Sequence, residues 1–560
     1  MTIYPTRTAA HLAIAGVITF ALGIVLREPW IVAWGGGVLV GVAFARAATL
    51  VSVMRIRNAG FEMLWGGTER SMRVVRGTTL RLEAEVRNRD TLSACFDNLR
   101  VVASPALEVK VRPRAGEVMA TGSVRIEIEV KARRVGFHAI HSLALEVRGA
   151  PGVFEVPLTF ANPFGVAVLP RSKGRPRAEL AGGRSGHFAV SGQAARARGD
   201  GSEVFELREL SPGDSFRRIA WKASAKRNKL IVRELEREES DVVVLVLDAS
   251  TELWAGPVGA APLDFSIDAV LGLARHYLAR GDKVGLRIVA GRVLATLSPS
   301  ADRSQEGRIV TLLLERTGLF DYDRSGWDET ELAAQVAEHM RPLEPSSVHD
   351  LRRGRFDRLA ERAARLRAHA PFAHPAPLGH GPEDAELRRY AACFGLAMPP
   401  RHEPDRDRTT LTLLRLLTSM RSEKKDRPTV VHVVSPPPAP DRVLAMGQAV
   451  KRLQARRIEL RWTNVAVDEG LLVAAPGVED DGWVDNAAVA TENRRPEPTL
   501  YDAVTDALTL RARAAQRTSE KALARLGVTL VRQSSTRTLG VMTRRSEDDA
   551  RAVVERAPSA

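Results

Sequence analysis

The sequence predicts a protein of mixed α/β and β class in three parts: an N-terminal transmembrane helical hairpin, a β-sandwich, and a doubly wound α/β domain. Three observations lead there. Two long apolar runs stand near the start, a stretch of two-residue alternation comes next, and residues 242–247, VVVLVL, form an all-apolar run that ends at Asp248. The length of 560 residues accommodates these parts, since about 150 residues per domain gives three or four.

Residues 9–26, AAHLAIAGVITFALGIVL, include only His11 and Thr19 as polar members, and a second apolar run covers residues 30–54. Each is long enough, at about 1.5 Å per helical residue, to cross roughly 30 Å of hydrocarbon. Only Arg27, Glu28 and Pro29 separate them, so the spans must be antiparallel with both ends on one side. A cleaved signal peptide and a buried helical pair of a soluble protein are the competing readings; against the first, Arg27-Glu28-Pro29-Trp30 offers no small-x-small cleavage site. Lys and Arg resist translocation, and Arg7, Arg55, Arg57 and Arg70 flank the hairpin while the turn holds one Arg27 balanced by Glu28. The expectation is a two-pass protein of the cell inner membrane, with both termini and the bulk of the chain cytoplasmic. Arg46, near the exit end of the second span, can snorkel to the headgroups, and Gly37 with Gly41 offers a small-xxx-small pair for close helix approach.

Charge and cysteine content narrow the classes further. The 82 Lys plus Arg against 67 Asp plus Glu give a formal net charge of +15, which by itself suggests nucleic acid or an anionic membrane surface. Residues 171–237 contain 16 basic and 8 acidic side chains, so 16 − 8 = +8, more than half of the excess, lies in one segment. Cys95 and Cys393 are too few and too far apart in sequence for a disulfide framework or a four-thiolate zinc site, and a reducing compartment is expected. The mean hydropathy of −0.13 resembles that of a soluble protein only because it averages the hairpin with the rest.

Residues 59–170 are predicted to form the sandwich. Leu80, Leu82, Ala84 and Val86 alternate with Arg81, Glu83, Glu85 and Arg87, and Val124, Ile126, Ile128 and Val130 alternate likewise with charged residues. Such alternation marks half-buried antiparallel strands. About seven short strands separated by Gly, Pro, Asn and Asp suggest an immunoglobulin-like β-sandwich. His138 and His141, three apart on a strand, fall on opposite faces and do not suggest a shared metal.

Residues 171–240 form a basic linker and then a dense box. The box runs through Glu203, Arg208, Glu209, Pro212, Gly213, Asp214, Arg217, Arg218, Trp221 and Lys222 to residues 230–234, Leu-Ile-Val-Arg-Glu. Pro212-Gly213-Asp214 is turn chemistry, with Asp214 free to cap the next turn of the chain. Acids and bases around Trp221 predict an ion-pair network, and a nearly solitary Trp221 lacks the stacked aromatics of single-strand nucleic-acid binding. No nucleic-acid partner is expected.

This stretch closely resembles the signature box of the bacterial "domain of unknown function 58" family, with its Leu-Arg-Glu, Pro-Gly-Asp, Arg-x-Ile-x-Trp-Lys and Leu-x-Val-Arg-Glu elements. Asn162-Pro163-Phe164-Gly165-Val166 is similar to the Asp-Pro-Phe-Gly-Leu of that family, and paired N-terminal spans are usual there. The resemblance implies a von Willebrand factor A-like α/β domain and a partnership with a MoxR-type AAA+ ATPase. In von Willebrand factor A domains the first strand ends in Asp-x-Ser-x-Ser, which coordinates Mg²⁺ and leaves a position for a partner's carboxylate. Asp248 and Ser250 match that pattern, whereas Glu252 takes the third place and Val434-Ser435-Pro436 lacks the later Asp. The candidate metal residues are therefore Asp248, Ser250 and Glu252 in a degenerate loop, with Mg²⁺ the implied ion; the alternative is a capped strand end kept for folding.

The residues themselves agree with an α/β domain over 241–560. Strand 242–247, a helix at 264–280 and strand 284–290 make a βαβ unit, with later strands at 430–434, 460–467 and 528–531 and helices at 442–454 and 500–526. An insertion is expected at about 318–428, with helices at 356–367 and 410–420, and with His369, His374 and His380 in exposed loops. Residues after Ser546 suggest a charged terminal helix.

No Walker A motif, Gly-x-Ser-x-Gly elbow, His-Glu-x-x-His or Cys-x-x-Cys is present. No catalytic residue or cofactor-binding motif is assigned, and a non-enzymatic role is expected. With residues 1–58 as the hairpin, the leading expectation is a membrane-anchored scaffold or adaptor that links an AAA+ ATPase to an unknown protein client. The competing expectation is a peripheral module for anionic lipid or nucleic acid that has no ATPase partner.

Overall fold

The computed structural model describes residues 3–148, 151–171, 197–211, 214–237, 241–403, 405–420, 428–464 and 500–532. The chain divides into two units, residues 1–171 with 317–402, and residues 172–316 with 403–560.

A short strand β1 (Tyr4–Pro5) leads into helix α1 (Arg7–Leu26). Thr6 caps that helix by accepting from the Ala9 N–H, and its hydroxyl donates to Val153 O at 2.8 Å, tying the helix start to the sandwich. Arg27 turns the chain in the left-handed region (φ 57°), and Pro29 opens α2 (Pro29–Gly60) at a position where its missing N–H costs nothing. Both helices are long and apolar enough to cross a membrane. The 32 residues of α2 span about 48 Å, more than the hydrocarbon needs, and its last turns enter the sandwich core through Val53 and Ile56. The helices meet at Gly16, Gly23 and Gly35: a Cβ on Gly23 would stand 2.6 Å from Val32 N, and one on Gly35 would strike the Phe20 backbone. Gly37 and Gly41, expected at this contact, have nothing within 4 Å of a would-be Cβ and face outward. The close backbone approach instead runs through Gly23 on the first helix and Gly35 on the second, where only a hydrogen fits, while Gly16 packs against the Leu39 and Val38 side chains.

Ten strands come next: β2 (Phe61–Trp65), β3 (Ser71–Val75), β4 (Thr79–Asn88), β5 (Ala94–Ala103), β6 (Leu107–Arg112), β7 (Gly116–Val118), β8 (Ser123–Ala132), β9 (Gly136–Arg148), β10 (Phe154–Phe160) and β11 (Phe164–Leu169). Four make one sheet in the order β2-β4-β8-β6, and the second sheet runs β1-β10-β9-β11-β3 with β5 beside β9 and β7 beside β5. Leu82, Ala84, Val86, Ile126, Ile128 and Val130 bury one face of the first sheet in a core shared with Leu143, Leu145, Val147, Val166 and Val168 of the second. The architecture is compatible with an immunoglobulin-like sandwich. It has more strands than alternation predicts because β3 and β7 are short and β3 is largely exposed.

The second unit opens with an antiparallel pair, β12 (Ala197–Glu209) and, after α3 (Trp221–Arg227), β13 (Ile231–Arg237). Next come β14 (Val242–Asp248), α4 (Pro262–Ala279), β15 (Lys283–Val289), β16 (Val293–Ser300) and α5 (Gln305–Arg316). The chain then supplies the first unit with α6 (Glu329–Met340), α7 (Ser346–Arg352), α8 (Phe356–Leu366) and α9 (Pro382–Phe394). It returns with α10 (Arg406–Ser419), β17 (Val430–Val434), α11 (Pro440–Ala455), β18 (Glu459–Asn464), α12 (Leu500–Arg525) and β19 (Thr529–Arg532). The resulting sheet has the order β16-β15-β14-β17-β18-β19, parallel except for β16. Val244, Val246, Val431 and Val433 face Leu413, Met446, Val450 and Leu523 of α10, α11 and α12. The alternate residues face α4, where the Tyr277 hydroxyl meets His432 Nδ1 at 3.2 Å. Helices thus cover both faces, as the all-apolar strands require.

The expected insertion at about 318–428 therefore splits. Residues 317–402 belong to the sandwich unit, and α10 belongs to the α/β core. The physical reason lies in close contacts with β9 and β11. Phe372 and Pro371 fill the space over Gly165, where a Cβ would lie 2.7 Å from the Phe372 ring. At the left-handed end of α9, a Cβ on Gly395 (φ 66°) would lie 2.9 Å from Phe137 O, and the Gly395 carbonyl accepts from Ser104 Oγ at 2.6 Å. His374, expected in an exposed loop, is buried between the Phe137 and Phe320 rings; His369 and His380 are exposed. The linker at 172–196 and the segment after Ser546 lie outside the described residues.

Candidate functional site

Strand β14 starts the sheet at its centre; the chain moves from it to β15 on one side and reaches β17 on the other. The carboxyl ends of β14 and β17 therefore flank the topological switch point, where doubly wound sheets form a crevice. Asp248 ends β14, and Ser435 comes directly after β17.

Asp248 is held from two sides: Oδ1 accepts the Ser250 N–H at 2.9 Å, and Oδ2 accepts the Ser435 hydroxyl at 2.7 Å. Trp462 on β18 steadies Ser435 by donating its indole N–H to the Ser435 carbonyl at 2.8 Å. Glu252 Oε1 accepts the backbone N–H of Arg406 at 2.7 Å, placing a carboxylate on the positive end of α10. The Arg406 guanidinium donates to Pro437 O at 2.7 Å, and Arg406, Asp248, Thr410, Ser435, Pro436 and Trp462 line one small recess. On the other flank, Asp405 Oδ2 accepts from Gly291 N at 2.9 Å.

The loop after β14 also holds oxygens with nothing to bond. Ser250 Oγ, Thr251 Oγ1 and Glu252 Oε2 are buried and have no hydrogen-bond partner. A buried polar atom left unpaired costs about 1–3 kcal/mol, so three within three residues mark a place where an added group would be welcomed. Among the described residues no cluster of three or more His, Cys, Asp or Glu side chains is placed to hold a metal ion. The donors here are one fixed carboxylate, one free carboxylate oxygen and hydroxyls, the hard oxygen set that suits Mg²⁺ rather than zinc.

The box takes a different form from the network expected around Trp221. Arg208 forms a two-toothed pair with Asp214, both contacts at 2.7 Å, and Ser211 N–H adds a third bond to that carboxylate at 2.8 Å. Asp214 thus faces back to Arg208, and the 3-10 turn Phe216–Arg218 begins after Ser215 without a side-chain cap from that residue. Lys229 binds Glu209 at 2.8 Å, and each holds the other's charged form, lowering the carboxyl and raising the amine. Ile219 and Ala220 are buried against β13, and Ala220 N–H donates to Ile231 O at 2.8 Å. Trp221 lies outside the ion pairs, 65% exposed, next to exposed Lys222. Glu203 stands on β12 and Arg218 in the turn; Pro212 and Gly213 lie outside the described residues.

Asp248, Ser250 and Glu252 were legible from sequence, whereas Ser435 as a partner of Asp248 was missed and Arg406 was missed altogether. A serine directly after an apolar strand was the available signal for the first. For Arg406 there was none, since 154 residues separate it from Glu252.

The fold and this crevice define a chain with two apolar N-terminal helices and a mixed α/β body whose polar loops gather at a switch point. Residues 206–347 match the family model described as "Protein of unknown function DUF58", which supports that family for the part of the chain that carries the box and β14. No curated protein matches the chain. Among solved structures, the PapD-like domain 7 of human CEP192 is 15% identical, covering 20% of this chain and 87% of that one at a TM-score of 0.16. WR4, a C. elegans MSP family member, is 10% identical and covers 20% of this chain and 99% of that one, TM-score 0.15. The E. coli chaperone DraB is 13% identical, with 21% and 58% covered and a TM-score of 0.14. Scores this low carry no argument about function.

Proposed function

We propose that the protein is a membrane-anchored scaffold or adaptor whose α/β domain, of von Willebrand factor A type, recruits a MoxR-type AAA+ ATPase and couples it to a protein client. The observation that supports this most is the cluster of unpaired buried oxygens, Ser250 Oγ and Glu252 Oε2, beside the fixed Asp248 carboxylate at the switch point. Asp248, Ser250 and Glu252 would hold a Mg²⁺ ion, which when bound supplies an open position for a partner's carboxylate. Ser435 keeps Asp248 oriented, and Glu252 fastens α10 next to the recess. In this reading the working domains lie on the cytoplasmic face of the inner membrane, an orientation supported by Arg7, Arg55, Arg57 and Arg70 at the ends of the hairpin. The role is one of binding, not of catalysis.

Detergent extraction, crosslinking and pull-down with the host's AAA+ ATPases tests this reading. One such ATPase is expected to be enriched over an unrelated membrane bait in at least one nucleotide state. Absence of enrichment in every state would reject the adaptor.

A further inference from the structure

The ion pairs of the box leave several of its described side chains in the open. Both acids between Leu207 and Lys229 are spoken for, Asp214 by Arg208 and Glu209 by Lys229. Arg217, Lys222 and Lys226 are exposed and make no ion pair or hydrogen bond among the described residues. Between them stand two large aromatic side chains in the open: Phe216, 74% exposed, and Trp221, 65% exposed. The backbone between these rings is fixed, because Ile219 and Ala220 are buried, Ile219 bridges to Val232, and Ser224 Oγ accepts from Ile231 N–H at 2.9 Å. Exposing Phe and Trp on a pinned turn is unfavourable in water unless something covers them.

We infer that this turn, Phe216 and Trp221 within the basic rim of Arg217, Lys222 and Lys226, docks on the anionic surface of the bilayer in which the chain is anchored. The chemistry matches the interface on both counts. Trp and Phe settle at headgroup depth, where an apolar ring meets a polar zone. Each Lys or Arg near an anionic leaflet is attracted to it, an attraction that fades beyond a Debye length. A bilayer is also the anionic surface that a chain with two helices apolar enough to cross it would hold at high local concentration. Two rings and three cations amount to a weak contact, suited to binding from a tether and insufficient alone. This inference does not depend on the ATPase.

The test uses the full-length chain. With Cys95→Ser and Ser215→Cys, an environment-sensitive fluorophore is placed beside Phe216, and buried Cys393 stays unlabelled. The protein is reconstituted into vesicles of phosphatidylcholine alone or with about one-third phosphatidylglycerol. The expected result is an emission at least about two-fold higher in the anionic vesicles, returning to the neutral level at about 0.5 M salt. The increase is expected to vanish with Phe216→Ala plus Trp221→Ala, and to fall by half or more with Lys222→Gln plus Lys226→Gln. Unchanged melting of both variants separates loss of docking from loss of fold. Equal emission in the two vesicles overturns the inference. An increase that needs an added soluble protein and ignores lipid charge overturns it as well, and assigns the turn to a protein partner.

Discussion

His141 on β9 and His339 on α6 meet with Nδ1 and Nε2 3.0 Å apart, and His339 continues to the Tyr390 hydroxyl on α9 at 2.9 Å. Burial, with a smaller contribution from each other's charge at His141, pushes these imidazoles down to about 3 for His141 and about 4 for His339. Burial likewise lowers His138 to about 4 and raises the Tyr390 phenol. All three histidines are therefore neutral in the fold, whereas the unfolded chain takes up protons near pH 6.5. Stability is fully present above about pH 6.5 and falls as the pH drops toward 4, because over that window the unfolded state binds more protons. At pH 5 each histidine that remains neutral is expected to cost on the order of 2 kcal/mol. Urea unfolding of the first unit at pH 5 and pH 7.5 measures this, and His141→Gln should flatten the dependence; a midpoint independent of pH would refute it.

Residue types in sequence say little about such pairs. His141 and His339 lie 198 positions apart, and no local pattern joins them. Asp248 and Ser250 were legible because their chemistry sits within one turn of chain. Ser435 and Arg406 reach the same place only through sheet order and through the packing of α10.

Elements with strong periodicity or uniform apolarity read well: α1, α2, β4, β8, β14 and β17 all stand where pattern places them. The path of residues 317–402 did not, because amphipathic helices announce that they cover something without naming it. Asn162-Pro163-Phe164-Gly165-Val166, read as part of a family resemblance, gains a physical account. Phe164 packs on Trp65 with ring centroids 5.0 Å apart, Trp65 donates to Asn162 O at 3.0 Å, and Gly165 leaves room for Phe372. Gly165→Ala should therefore push residues 371–372 off the sheet and destabilise the unit by about 1–3 kcal/mol, read as a lower melting temperature and faster proteolysis near 366–382. Wild-type stability would contradict this. Within the hairpin, Gly35→Leu should lower detergent-solubilised stability by forcing α1 and α2 apart, while Gly37→Leu, at an open position, should leave it unchanged. Equal effects would mean that the helices do not meet as described.

Across the whole molecule, the excess charge that first suggested nucleic acid resolves into a chain with two helices apolar enough to cross a membrane and one segment of net +8, part of it spent on internal pairs and part left on the turn of Phe216 and Trp221. Orientation has a native reporter, since Cys95 is exposed on the sandwich and Cys393 is buried. In intact cells Cys95 should react with a membrane-permeant maleimide and resist an impermeant one; labelling by the impermeant reagent would put the sandwich on the outer side. Recruitment of the ATPase is proposed to run through the loop after β14, and it stands or falls on the affinity of the captured ATPase for wild type and for Asp248→Ala, each with Mg²⁺ and with a chelator. Binding is expected to weaken at least about ten-fold, about 1.4 kcal/mol, on either mutation or chelation, with no further loss when both are applied. Equal affinity in all four arms would rule the loop out as the recruiting site.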